Sequence, residues 1–360
     1  MEFTFIADVH LTEFKNDKQV EYDRRIVSRK TASIVECLHE VCQYTEENIS
    51  QPYMIISGDM VDKHAMEYSS AILFWMDIFD KYSNIEFLII TGNHDISDKS
   101  DNPFNWCNVF SKYNNVEIID YAKYKDIGDG ILAVSYSNKL QETLRNAVQD
   151  NPQCDILLSH FDVNEAKLSN NLTGIGKIKF SDLASKFRLI LLGDYHIPQK
   201  LQTAGSELYY VGSVIQKDWG EANEEKRFFH CKIDRNNIDI KSIPFTRYSK
   251  HIILECTSRE DIPKLVRKKK ELVQQNHYVK ILYKIESTMD KKEVRSLKNE
   301  IGKLADEEVI LVEELQETVT EQIDIKSKNV DKLYKYLEIK GIDEKDRDKF
   351  FEPISEFLKQ

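Results

Sequence analysis

Five short apolar runs in this sequence each end in aspartate, asparagine or histidine, and those residue types are metal donors. Phe3-Thr4-Phe5-Ile6 leads through Ala7 into Asp8-Val9-His10. Tyr53-Met54-Ile55-Ile56-Ser57 leads into Gly58-Asp59-Met60-Val61-Asp62, and Phe87-Leu88-Ile89-Ile90-Thr91 into Gly92-Asn93-His94-Asp95. Ile156-Leu157-Leu158 ends in Ser159-His160, and Leu189-Ile190-Leu191-Leu192 in Gly193-Asp194-Tyr195-His196. Carboxylate oxygens, imidazole nitrogens and an asparagine carbonyl form the ligand set of hard-to-borderline divalent ions such as manganese. One aspartate standing between two ions can bridge them, and ions roughly 3.5–4 Å apart clamp a phosphodiester while one of them activates water. His94, directly after Asn93, is placed to donate a proton to the leaving oxygen, with Asp95 to orient it.

Taken singly, each motif has a plainer explanation: the Asp or Asn caps a helix, and the His is a satisfied core residue. Five motifs in step with strand ends favour the metal centre. The elements must then do the positioning. Asp8 and His10, two residues apart at the end of a strand, should face one side. Glycines before Asp59, Asn93 and Asp194 allow sharp turns off their strands. Periodicity predicts a loop over 12–23, helices over 24–48, 67–82, about 103–113 and 139–149, and strands at 53–57, 86–91, 116–121, 130–136 and 155–158. Strand–helix alternation is that of an α/β fold whose site lies where strands end. Later strands at 209–213 and 228–233 stand in hairpin-like order, which points to mixed or paired sheets with helices outside.

Near residue 247 the pattern changes. Residues 1–247 form the domain with the metal-type motifs, and 248–317 read as a small α/β domain. That second domain has strands at 252–256, 278–286 and 308–313 and helices at 260–275 and 290–305. A polar linker over 318–328 precedes a tail, 329–360, with two apolar stripes at helical spacing.

Composition narrows the class. The chain has 360 residues, 41% hydrophobic and 31% charged, as a soluble globular protein of about two domains would. No apolar run is long enough to span a bilayer, so no membrane is expected. The first residues lack a leader pattern, and a cytoplasmic location is expected. Six scattered cysteines form no Cys-x-x-Cys pair and read as reduced, buried small hydrophobes. A net charge of −11 argues against simple adhesion to nucleic acid, but a carboxylate-rich metal site supplies negative charge that cations offset.

Asp8-x-His10, Gly58-Asp59-x-x-Asp62, Gly92-Asn93-His94-Asp95, Ser159-His160 and Gly193-x-x-His196 together resemble the calcineurin-like metallophosphoesterase superfamily. Within it, His196-Ile197-Pro198-Gln199, Tyr210-Val211-Gly212-Ser213, Gly220-Glu221 and Lys226 are similar to the SbcD nucleases, which include phage recombination and Mre-type break-repair enzymes. The motifs span about residues 1–235; beyond them only the order of elements matches. The resemblance implies an α-β-β-α sandwich with a small α/β cap and a C-terminal helical pair. It implies two divalent ions, most naturally manganese. One would take Asp8, His10, Asp59 and His196; the other would take Asp59, Asn93, His160 and Asp194, with His94 as general acid. At 194 the family usually carries His, and the extra negative charge here makes that ion a weaker Lewis acid.

The resemblance further implies DNA as substrate and a homodimer within an SbcCD-type recombination and repair complex. The cap would contact DNA through the basic run Lys264, Arg267, Lys268, Lys269 and Lys270. The tail would dock on an SbcC-type coiled-coil ATPase through Leu333, Leu337, Phe350 and Phe357. His39, His64, His230, His251 and His277 lie outside the motifs and read as structural or surface residues. Two other functions stay open: a dimetal phosphatase or phosphodiesterase on a non-DNA substrate, and a weakened scaffold for the ATPase. Lys63-His64 after Asp62, and Asp95 after His94, depart from the protein-phosphatase pattern.

Overall fold

Alternation along the apolar runs decides which layer each side chain enters. Phe3, Phe5, Ile55, Leu88 and Ile90 point one way, whereas Ile6, Met54, Ile56, Phe87 and Ile89 point the other, and all are buried. Strands buried on both faces need a layer on each side, and the chain supplies a second sheet and a set of helices.

The computed structural model describes residues 1–62, 69–167, 176, 178–222, 224–234, 236–256, 259–285, 296 and 309–313. The chain opens with β1 (Glu2–Ile6), then β2 (Gln19–Tyr22), β3 (Arg25–Ser28) and α1 (Arg29–Asn48). β4 (Tyr53–Ser57), α2 (Ser69–Lys81), β5 (Glu86–Ile90) and β6 (Val116–Ile119) follow. Next come β7 (Tyr124–Gly128), β8 (Ile131–Val134), α3 (Leu140–Asp150), β9 (Ile156–His160) and α4 (Phe180–Ala184). β10 (Leu189–Gly193), β11 (Gln199–Thr203), β12 (Ser206–Tyr210), β13 (Arg227–Ile233) and β14 (Ile238–Pro244) complete the two large sheets. The remaining elements are β15 (His251–Cys256), α5 (Ile262–Gln274), β16 (Tyr278–Ile285) and β17 (Val309–Glu313).

Among the described residues the sheets run β14-β13-β1-β4-β5-β6, β11-β12-β10-β9-β8-β7, β15-β16-β17 and the two-stranded β2-β3. Both large sheets are mixed: β1, β4, β5 and β6 are parallel, as are β8, β9, β10 and β12, with antiparallel strands at the edges. Phe3, Phe5, Ile55 and Leu88 meet Ile131, Ile156, Leu158 and Leu191 in one layer between the sheets. Outside, α1 and α2 pack on the first sheet, α3 and α4 on the second. The fold is therefore mixed α/β in α-β-β-α layers. By compactness the chain divides into Met1–Leu282 with Ile301–Ile310, and Tyr283–Glu300 with Leu311–Gln360. No helix among the described residues is long and apolar enough to cross a membrane. All six cysteines are buried, and none forms a disulfide among the described residues.

Several sequence expectations need correction. The helix expected from residue 24 begins at Arg29, because Tyr22-Asp23-Arg24-Arg25 closes a two-residue hairpin with φ of 45° and 61° at Asp23 and Arg24. Ser28 then caps α1, its Oγ accepting the Thr31 N–H at 3.0 Å. The helix expected over 103–113 is only a 3-10 turn, Trp106–Phe110. There Asn105 spends its side chain on Cys107 N–H, Thr91 and Asp120, which ties the chain down locally. The expected helix over 290–305, the linker and the tail lie outside the described residues, except for Ser296.

Candidate metal centre

The five motifs meet at the carboxyl ends of β1, β4, β5, β9 and β10. The sheets are locked together there: Ser57 Oγ donates to the Ser159 carbonyl at 2.7 Å, and His160 Nδ1 reaches the Ser57 carbonyl at 2.8 Å. With Nδ1 donating to that carbonyl, the His160 ring is fixed so that Nε2 faces Asp59 and Asn93.

Asp8 and His10 converge, but not by strand alternation. β1 ends at Ile6, and both residues adopt left-handed backbone, φ 52° and 47°. Their N–H groups donate to the carbonyls of Gly58 (3.2 Å) and Asp59 (2.8 Å), and Leu11 N–H to Met60 (3.0 Å), so the two loops zip together. Asp59 (φ 53°) and Asp194 (φ 102°) are left-handed as well. Such conformations cost on the order of 1–3 kcal/mol each and persist where surrounding contacts fix them. The glycines act in two ways. Gly58 has φ 80°, and a Cβ there would lie 2.2 Å from His160 Nδ1. Gly193 is needed for close approach alone, since its Cβ would meet the Ser57 carbonyl at 2.4 Å.

Asp59, 2% exposed, faces both halves of the cluster. Its Oδ2 lies 3.2 Å from His10 Nε2, its Oδ1 3.3 Å from His160 Nε2. Oδ1 also accepts the His94 N–H at 2.9 Å. Burial opposes ionisation of Asp59, yet the imidazoles of His160 and His10 outweigh it and hold the carboxyl well below the usual range. Asn93 Oδ1 sits 2.9 Å from His160 Nε2. Donor atoms of Asp8, His10 and His196, of His10, Asp59 and His94, and of Asp8, Asp59 and His160 lie within 4.8 Å of one another in each set.

His10 tests whether this donor set suits a cation. It is 2% exposed, and among the described residues neither ring nitrogen makes a well-aligned hydrogen bond, Nε2 only standing 3.2 Å from Asp59 Oδ2. A buried imidazole left so, among carboxylates, is a costly arrangement that a divalent ion would satisfy. The residues fit one.

Asp194 is brought to the cluster mainly by its backbone. Its N–H donates to both carboxylate oxygens of Asp8 at 3.1 Å, while its Oδ1 stands 3.7 Å from His160 Nε2. Its carboxylate also lines a cavity of about 670 Å³ with Asn93, Tyr136, Arg145 and Phe161. Burial, opposed by His160 and aided by Asp8, pushes its pKa up to about 7.

Asp95 does not take the expected place beside His94. Its carboxylate accepts the N–H groups of Asp59 (2.8 Å), Gly92 (2.8 Å) and Val61 (3.3 Å), tying two site loops together. The partner of His94 is Asp62, whose Oδ1 lies 3.1 Å from Nδ1. The reason is geometric: Asp95 is drawn under the loops by three backbone donors, whereas Asp62 emerges on the same face as His94.

Sequence reasoning gave no role to Glu221, Lys226 or Lys217. Glu221 Oε1 lies 3.5 Å from His196 Nδ1, and Oε2 is 2.6 Å from Lys226 Nζ. Lys226 is fully buried and also donates to the His196 carbonyl at 2.8 Å. Burial raises the Glu221 pKa, but His196 and Lys226 together overcome it and hold the group at about 2. Glu221→Gln should therefore destabilise the chain by about 3–5 kcal/mol, because it strands a buried ammonium. Denaturant unfolding checks this. The stabilisation is present above the ordinary value of 4.5 and is lost as pH falls towards 2, so the gap between wild type and variant should close on acidification.

On α5, Lys264, Arg267, Lys268 and Lys270 are exposed, but Lys269 is 8% exposed and shares the inner face with Ile262 and Val266. The helical period sets it apart from its neighbours, so the basic run does not form one outward face. Leu333, Leu337, Phe350 and Phe357 lie outside the described residues.

A family model described as calcineurin-like phosphoesterase matches residues 1–198. No curated protein matches by sequence. Similar solved structures include a dimetal phosphatase from Danio rerio, at 12% identity and TM-score 0.44, covering 68% of this chain and 96% of that one. A 5'-nucleotidase precursor from Thermus thermophilus gives 12% identity and TM-score 0.40 over 69% and 54% of the two chains. Phosphopantetheinyl hydrolase from Mycobacterium tuberculosis gives 12% and 0.35 over 59% and 89%. At these scores the likenesses carry no part of the functional reading.

Proposed function

Because this chain belongs to the calcineurin-like phosphoesterase family, we propose that it is a metal-dependent phosphodiesterase acting on DNA, the nuclease subunit of an SbcCD-type complex. The observation that carries the chemistry is Asp59, whose two oxygens face His10 and His160 on opposite sides of the cluster. Asp8, His10, Asp59 and His196 would hold one ion, and Asp59, Asn93 and His160, with Asp194 beside them, the other. Bound divalent ions, for which we favour manganese, polarise the phosphoryl group and lower the pKa of water. His94 then serves the leaving oxygen: its ring is 27% exposed, and Asp62 at Nδ1 orients it so that Nε2 is the atom that donates.

The narrower choice of an SbcD-like nuclease rests on the segment after the last ligand. Ser213 N–H donates to the His196 carbonyl at 3.1 Å, and a Cβ on Gly212 would strike that same carbonyl at 2.8 Å. Gly212, Ser213, Glu221 and Lys226, which belong to the segment similar to SbcD, thus buttress His196. By the same resemblance the exposed cations of α5 engage DNA phosphates, and residues 329–360 bind the coiled-coil ATPase within a dimeric assembly. The test is one assay with manganese, offering linear duplex DNA, single-stranded DNA, and p-nitrophenyl phosphodiester and monoester side by side. Cleavage of DNA and diester is expected. Preference for the monoester would make the chain a phosphatase, and inactivity on all four a scaffold.

A further inference from the structure

Lys217 stands at the metal centre although no motif pointed to it. Its ammonium lies 3.2 Å from Nε2 of His196. An ammonium donates and cannot accept, so Nε2 is the acceptor and the ring proton sits on Nδ1, which faces Glu221. In that tautomer the Nε2 lone pair is the one a metal would take beside Asp8 and His10. Lysine and ion therefore claim the same lone pair.

The main chain around Lys217 is held firmly enough to set this aim. Its N–H donates to Glu221 Oε2 at 3.2 Å, and its carbonyl accepts from Lys30 Nζ at 2.6 Å. Gln216, 3% exposed, donates to the carbonyls of Ala222 (3.2 Å) and Glu224 (2.8 Å) and accepts the His251 N–H at 2.6 Å. Only side-chain torsions remain to move the ammonium.

We propose that Lys217 is a tethered cation that competes with the ion Asp8, His10 and His196 would hold. That ion binds as the ammonium swings off His196, so the centre loads unequally, with the Asp59–Asn93–His160 side filled first. The inference rests on the dimetal reading above.

Manganese alone is titrated into the metal-free full chain by calorimetry, with free ion followed by electron paramagnetic resonance. Wild type should show two unequal sites. Lys217→Met, which keeps the stem and removes the charge, should tighten the weaker site on the order of tenfold or more and leave the tighter one unchanged. Lys217→Arg should behave as wild type. Two sites identical in wild type and Lys217→Met, or a weaker site that loosens, would overturn this inference alone; no manganese bound by wild type would overturn the dimetal reading with it. Amine labelling of wild type, read by mass spectrometry, decides the matter if the methionine variant does not fold. Labelling at Lys217 should rise severalfold on manganese saturation, and unchanged or reduced labelling counts against displacement.

Discussion

A chain carrying Asp59→Ala is expected to retain neither ion and to lose phosphoester hydrolysis by at least about 10³-fold. Asp59 is the carboxylate with one oxygen against His10 and the other against His160, at 3.2 and 3.3 Å. Without it, two cations would face each other with no shared anion between them, and neither half keeps a full ligand set. Asp8→Ala offers the contrast. Asp8 lies within reach of both His10 and His196 and of Asp59 and His160, but in the proposed ligand sets it serves the first ion alone, so its loss should remove mainly that ion. Metal content per chain, measured on purified, folded variants by plasma mass spectrometry, separates the two. Two ions retained in the Asp59 variant would sink the bridge.

The layers of this fold were legible where strands are buried on both faces. Phe3, Phe5, Ile55 and Leu158 alternate with Ile6, Ile56 and Leu157, and runs this short, rich in β-branched and aromatic residues, read as buried strands. The strands that escaped notice, β7, β11 and β14, are edges of the two large sheets. Gln199-Lys200-Leu201-Gln202-Thr203 looks like a loop because an edge is half exposed and carries charge to blunt further pairing. The β2–β3 hairpin was hidden for a local reason. Its turn uses Asp23-Arg24 rather than a glycine, so the chain reads as continuous polar sequence.

At the site, residue types identified the donors but not the route by which they meet. Asp8 and His10 face one point because both backbones turn left-handed, which no two-residue spacing announces. Sequence adjacency named Asp95 as the partner of His94, whereas Asp62 takes that place. What separates them is that Asp95 meets three backbone N–H groups beneath the loops. Lys217 went unnoticed, and Glu221 marked only the family resemblance with no place at the site, for a related cause. They reach His196 from a segment some twenty residues further on, and nothing local to that segment shows which way it folds back.

His94→Ala is expected to slow DNA cleavage by about 10²–10⁴-fold while keeping both ions and the melting temperature. The ring is 27% exposed and stands at the rim, 4.7 Å from the His10 ring and held by Asp62. A leaving deoxyribose oxygen is strongly basic and needs a proton as its bond to phosphorus breaks. A p-nitrophenolate does not, so the variant should lose far less on the p-nitrophenyl diester than on DNA. Asp62→Asn should follow the same pattern with a smaller loss, about 10–100-fold, since it removes the carboxylate that orients the ring. Asp95→Asn should show no such dependence on leaving group, because its three contacts hold loops and not the ring. Equal losses on both substrates for His94→Ala would take the general-acid role from His94. They would place the ring instead among the groups that hold a metal, beside His10 and Asp59.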